Sequence, residues 1–460
     1  MLVKKMAALS ANLPEDIMKK KWAGDYEGAI ELIDYRLKTA ELTQTLRDRL
    51  EIEKQIIQRL PGEYPIPRDE AIRIVQERIP DFTEEEFHQL ELDGALDYMY
   101  VHGERHYYRR FLRTLLHVNP MIQSRAGVEP DPEDAMLDET IASLKKNKTE
   151  KWHIHIKHEM QVRDSAFIPG ETYLAHLPLP MPCAQTDNIR LIDIAEDAVI
   201  APEDYPQRTA SFVRRQDTNG WFSVEYEYDN VARYVDITKA PEGAMPVYPN
   251  AAPVCPADLA EQAPHICFTT YLKSLAAEIK GDLEKPVDIV RAIYKYVTSK
   301  VKYTFMREYF TVENGSEYAA LNKKGDCGIQ TLLFITLCRI CGIPARWQAG
   351  LYTPADGIGN HDWAQFYVEP FGWLFCDCSF GGSAWRAGNM ERWEFYLGNL
   401  DPYRMVCNSA YQQSFYTPKQ HMRIDPYDNQ CGECECGAKG FSDPELSNYN
   451  FTLMELMRID

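Results

Sequence analysis

The stretch CGIQTLLFITLCRI, running from Cys327 to Ile340, limits the fold more than any other part of this chain. Wound as a helix, it carries Leu332, Leu333, Phe334, Ile335, Leu337 and Ile340 around nearly its whole circumference, so it has no face to give to water. Such a helix must be buried at the centre of a core. It is not a membrane span, because no run of about 18 apolar residues occurs anywhere in the sequence. Its ends are well marked. Gly325 permits a close approach, Asp326 is a cap for the first turn, and Gly342 and Pro344 stop the helix. Cys327 falls within that first turn.

A central helix needs a domain around it, and the 460 residues provide for about three domains at ~150 residues each. Residues 1–148 read as a helical domain, with Ile30, Ile33 and Leu37, then Leu46, Leu50 and Ile57, at helical spacing. Within it, a hairpin turning at His102-Gly103 precedes a helix through Leu116. Helix, helix, hairpin is also the outline of a winged helix, and Arg105, Arg109, Arg110 and Arg113 give a modest basic face. The surrounding helices are acidic, however, and the chain carries a formal net charge of −19. Nucleic acid and anionic membrane surfaces are therefore disfavoured as partners.

Residues 150–258 read as a β-sandwich-like domain. Trp152, Ile154, Ile156, Met160 and Val162 share one face of a strand; His153 and His155 share the other, as a solvated sheet face or, less simply, a metal-ligand pair. Asn219-Gly220, between two further strands, is a hairpin signal. Pro246, Pro249, Pro253 and Pro256 mark a linker. Residues 262–405 form the third region, with helices expected over Phe268–Ile279 and Pro286–Lys300. Residues 406–460 are expected to be an extension packed on it. The whole is an α+β chain.

A thiol at a helix start meets free N–H groups and the positive end of the helix dipole, which favour thiolate and can also stabilise an oxyanion. The plainer reading of Cys327 is a small buried hydrophobe. The stretch NHDWAQFYVEPFGWLFCDC tips the balance. His361 begins one strand, Phe371-Gly372-Trp373 turns, and the second strand carries Asp377. Paired strands can set a base beside the carboxylate that fixes its tautomer. Cys327, His361 and Asp377 thus supply nucleophile, base and orienter.

These blocks, GDC, GIPAR, HDW, FY, GW and D, resemble the transglutaminase-like superfamily, which shares the papain-like core. The resemblance is strongest over about 265 to 405 and is nearest to microbial members described as cysteine peptidases. It implies a papain-like catalytic domain at 262–405 and acyl transfer by Cys327, His361 and Asp377. In that scheme a thioacyl-enzyme forms and is resolved by water, giving peptide or amide hydrolysis. Resolution by an amine, giving crosslinking, is the alternative. A binding or scaffold protein that kept the fold without its chemistry is another. Gln365 stands where many relatives have Glu. For a second oxyanion donor, Tyr303 and Asn322 are the nearby guesses.

The other cysteines are mostly expected to fill core. Cys338 and Cys341 lie on the central helix, while Cys376 and Cys378 flank Asp377 and point away from it. Cys431, Cys434 and Cys436, with Cys407 or His421, are dense enough for a structural metal, but their alternation with Glu433 and Glu435 also fits a strand with one buried face. Trp347, Trp363, Trp373 and Tyr367 fit either a substrate groove or core. No glycine-rich phosphate loop or dinucleotide fingerprint occurs, so no organic cofactor is implied, and no residue is assigned to a metal. The opening MLVKKMAALSANLPED breaks too early at Pro14 for a signal peptide, which points to a cytoplasmic protein with free thiols. The expected partner is a peptide or protein substrate, and oligomeric state is left open.

Overall fold

The computed structural model describes residues 5–129, 132–239, 246–424 and 427–459; the first four residues of the N-terminal stretch read above lie outside it. Cys327–Ile340 is a helix whose residues from Gly328 to Arg339 are all buried. Against it lies a five-stranded antiparallel sheet in the order Leu397–Gly398, Gly372–Cys376, Gly359–Val368, Ala345–Tyr352, Arg404–Asn408. The helices Thr270–Lys280 and Pro286–Lys300 pack alongside, the first offset by two residues and one residue from the expected Phe268–Ile279 and the second as expected. This α+β unit puts the first turn of the central helix beside the start of the Gly359–Val368 strand.

The N-terminal region is helical from Glu15 to Leu92, broken by loops. Its hairpin, Tyr98–Val101 with Glu104–Tyr107, turns through His102 and Gly103 at φ of 50° and 81°. It is tied to the unit around the central helix by a buried charge cluster. Glu53 takes Lys21 at 2.8 Å and also Arg49, and Arg49 donates onward to Glu313 at 3.0 Å.

Two four-stranded sheets make the β-rich region. One runs Glu433–Cys436, Glu171–Pro178, Thr209–Gln216, Val199–Ile200; the other runs Leu446–Ile459, Thr149–Val162, Phe222–Arg233, Thr186–Ile194. Ile154, Ile156, Met160 and Val162 meet Tyr173, Phe212 and Tyr226 in the core between them. Two expectations are corrected here. Thr209–Gln216 and Phe222–Arg233 belong to different sheets, so Asn219-Gly220 is a crossing and not a hairpin. The Asn219 amide is drawn away from a tight turn, donating to the Val162 carbonyl at 2.7 Å and to Asp164 at 2.8 Å.

Second, residues 406–460 do not simply pack on the unit around the central helix. Leu446–Ile459 pairs along nearly the full length of Thr149–Val162, and Glu433–Cys436 pairs with Tyr173–His176. The extension completes both sheets because each would otherwise end on an unpaired edge. The proline segment is also held, since the Val247 N–H donates to the Phe371 carbonyl and the Trp373 indole to that of Ala252. Among the described residues, no helix is long and apolar enough to cross a membrane.

Candidate functional site

The central helix and the sheet meet at a cavity of about 780 Å³. Cys327, His361 and Asp362 line it from the unit around the central helix; Tyr108, Arg109, Arg110, Arg113 and His117 line it from the N-terminal region. The extension adds Gln430, Cys431 and Tyr449. Three separate stretches of chain therefore wall one site.

Asp326 caps the central helix, accepting from the Ile329 N–H at 3.1 Å and from the Tyr309 hydroxyl at 2.7 Å. Burial pushes the Asp326 carboxyl up to about 6 against the pull of those two donors. Gly328 follows Cys327 for a steric reason, because a Cβ there would lie 2.2 Å from the Tyr309 hydroxyl and 2.6 Å from an Asp362 oxygen. Only glycine lets both groups close over the first helical turn.

His361 Nε2 sits 2.7 Å from Asp377 Oδ2, and both side chains are shut off from solvent. Asp377, expected on the second strand, lies just past its end. The strand ends at Cys376, and Asp377 caps the following helix, Cys378–Ala387, accepting from the Phe380 N–H at 3.0 Å. Cys378 is therefore helical, with its sulfur 3.7 Å from that of Cys376. Arg404, wholly buried, donates to Asp377 at 2.9 Å and also binds Asp401. Burial alone would raise the Asp377 carboxyl; the charges of His361 and Arg404 instead hold it well below the usual carboxylate range.

Cys327 lines the cavity together with His361, but the thiol donates to Asp362 Oδ2 at 3.4 Å. Burial, Asp362 and Asp326 together push this thiol well up. The helix start was expected to favour thiolate; here two carboxylates and desolvation outweigh the dipole. Asp362 is fixed in turn by Gln430, whose amide donates to its Oδ1 at 2.6 Å and to the His361 carbonyl at 3.0 Å.

The remaining candidates separate cleanly. Tyr303 lines the cavity, whereas the Asn322 amide donates to the Tyr318 carbonyl on an exposed helix end. Gln365 accepts from Arg346 at 2.8 Å. Trp347, Trp363 and Trp373 are buried in the core, and Tyr367 pairs with Glu369. None of these five is a cavity residue. His153 and His155 face Asp229 at 2.9 Å and Glu225 at 2.8 Å across the sheet. Cys434 and Cys436 lie on a strand buried on both faces, because Glu433 and Glu435 are buried too. Among the described residues, no group of three or more His, Cys, Asp or Glu is placed to hold a metal ion.

Asp362, Gln430 and Arg404 were not assigned a role from sequence. Asp362 is adjacent to His361 in a strand, where alternation places neighbours on opposite faces. Gln430 and Arg404 come from distant chain, and only the adjacency of Tyr403-Arg404 to the catalytic blocks hinted at a part.

Residues 273–378 match the family model described as the transglutaminase-like superfamily. No match was found among curated proteins. A solved structure of a candidate cysteine protease from Cytophaga hutchinsonii is similar at 14% identity and a TM-score of 0.42, over 68% of this chain and 91% of that one. The periplasmic domain of TgpA from Pseudomonas aeruginosa is similar at 14% identity and a TM-score of 0.28, over 55% of this chain and 94% of that one.

Proposed function

With a transglutaminase-like core at residues 273–378 as the premise, we propose that the protein is a cysteine hydrolase that cleaves a peptide or other amide bond. The observation that carries this reading is the His361–Asp377 pair, backed by Arg404, on the same cavity wall as Cys327. With Nε2 engaged by Asp377, His361 keeps Nδ1 for proton transfer. Cys327 Sγ attacks the carbonyl carbon as its proton passes to His361, and the Cys327 backbone N–H stabilises the oxyanion. Collapse breaks the C–N bond, and His361 returns the proton to the leaving amine. Water, deprotonated by His361, then attacks the thioester and releases the free acid with restored thiol. The free state of every described cysteine suits a reducing compartment, so a cytoplasmic location belongs to the proposal.

Peptide-library profiling with mass spectrometry tests this reading. Cys327→Ala should retain the fold and lower kcat/KM by about three orders of magnitude or more. Added primary amine should leave free acid as the main product; its incorporation would reassign the reaction to crosslinking. One observation favours a second reading, a binding protein without turnover: the resting thiol is pushed up and donates to Asp362. Iodoacetamide labelling near neutral pH separates the two. Cys327 should react faster in the wild type than in His361→Ala, and equal rates would favour the non-catalytic protein.

A further inference from the structure

Six arginines line the cavity, and four have carboxylate partners. Arg109 lies 3.2 Å from both Glu63 and Asp443, and Arg110 lies 3.6 Å from Asp443. Arg307 lies 3.7 Å from Asp97, and Arg392 binds Asp138 at 2.8 Å as well as Asp134. Arg113 and Arg386 have no carboxylate partner among the described residues. Both are exposed. In a chain with 69 acidic residues against 50 basic ones, two unpaired guanidiniums at one cavity call for an explanation.

Their surroundings give one. Arg113, on the helix Phe111–Val118, stacks over Phe305 at 4.4 Å, which fixes its plane. Phe305 in turn packs on Tyr303 at 5.4 Å. Tyr303, Cys327, Arg113 and Arg386 all line the cavity. Arg386 occupies the last turn of the helix that Asp377 caps. The two cations thus line the same cavity as the thiol. One comes from the N-terminal region and the other from the catalytic unit.

We propose that Arg113 and Arg386 form an anion subsite that holds a carboxylate of the acyl-donor peptide while Cys327 engages the neighbouring amide. This rests on the amide chemistry proposed above. A planar guanidinium matches a carboxylate with two parallel N–H···O bonds, and a carboxylate is the anion an unmodified peptide carries. The stacking of Arg113 on Phe305 lowers the ordering cost of binding. The carboxylate can come from an acidic side chain or from a free C-terminus; the chemistry is shared.

The test uses the full chain as Cys327→Ala, so that binding is read without turnover. The probe is a randomised peptide pool divided into matched halves with Glu or Gln at one fixed position, each with a free or an amidated C-terminus. Captured peptides are counted by mass spectrometry. The anionic form should be enriched about tenfold over its neutral match, the usual scale for a charge-assisted contact. Arg113→Gln or Arg386→Gln should remove most of that enrichment, and the Lys variants should restore part of it. Arg215→Gln, an exposed cation outside the cavity, should leave it intact. Whichever pair shows the enrichment identifies the source, side chain or C-terminus. Equal capture of all forms, or enrichment that survives both Gln variants, overturns the subsite. If the wild type turns over no amide yet Cys327→Ala shows the Arg-dependent enrichment, the hydrolase reading falls and the subsite stands.

Discussion

At the scale of single residues, the thiol at the head of the central helix is set between opposing influences. The helix start favours thiolate, while burial and the Asp362 and Asp326 carboxylates favour thiol. Asp362→Asn removes the nearer charge and keeps a group that Gln430 can still bind. The Cys327 alkylation profile should then move to lower pH; an unmoved profile would show that Asp362 does not hold the proton on sulfur. Asp326 acts the same way with its own pH dependence. Its carboxyl, pushed up to about 6 by burial, becomes neutral as pH falls through that value and stops opposing the thiolate. The places of Cys327 at a capped helix start and of His361 near a strand start were legible in the sequence, whereas Asp377, read inside a strand, caps the helix that follows. Asp362 was not legible, because the alternation rule for strands assigns it to the wrong side.

At the scale of elements, Arg404 joins the Arg404–Asn408 strand to the helix that Asp377 caps. Its guanidinium is enclosed by the rings of Phe380, Tyr352 and Trp363 at 4.6, 5.1 and 5.4 Å. Both partner carboxylates, on Asp377 and Asp401, are buried. Arg404→Met keeps the stem and leaves two buried carboxylates without their cation, so unfolding in urea should show a loss of about 3–5 kcal/mol. A loss under 1 kcal/mol would mean that His361 and the Phe380 N–H satisfy Asp377 without Arg404. The helices and most strands were legible, since 3.6-residue and two-residue periods differ plainly in segments such as Pro286–Lys300 and Thr149–Val162. What strands pair with was not. Asn219-Gly220 marks a change of direction equally well for a hairpin and for a crossing between sheets. Only the distant Val162 carbonyl and Asp164, which take the Asn219 amide, decide between them.

At the scale of the whole molecule, the extension joins the β-rich unit to the unit around the central helix, and three buried histidines mark its seams. His158 contacts the Asn448 carbonyl at 2.9 Å and stacks on Phe451 at 4.1 Å. His176 stacks on Phe415 at 4.2 Å, and the His265 ring meets Tyr427 at 4.5 Å. Burial lowers these imidazoles from 6.5 to about 4, 3 and 3 respectively. An unfolded chain binds a proton at each as pH falls below 6.5, while the folded chain does not until pH 3 to 4. Their contribution to stability is therefore present above 6.5 and lost as pH falls, by up to about 1.4 kcal/mol per pH unit for each histidine. Asp326 and Glu308, raised by burial to about 6 and about 7, and Glu63, also raised by burial, work in the opposite sense. Folded, they hold protons that the unfolded chain has released, so they favour the folded state as pH falls. Near pH 5 the histidines prevail, because each is almost fully protonated only in the unfolded chain. Urea midpoints should therefore fall between pH 7 and pH 5, and limited proteolysis at pH 5 should cut first within 409–459. His265→Phe should flatten the pH slope, whereas Glu308→Gln should steepen it over pH 5 to 7 by removing an opposing proton. A midpoint that rises on acidification would place the burial penalty on the carboxylates instead, and would separate the seams of the extension from the acid response of the fold.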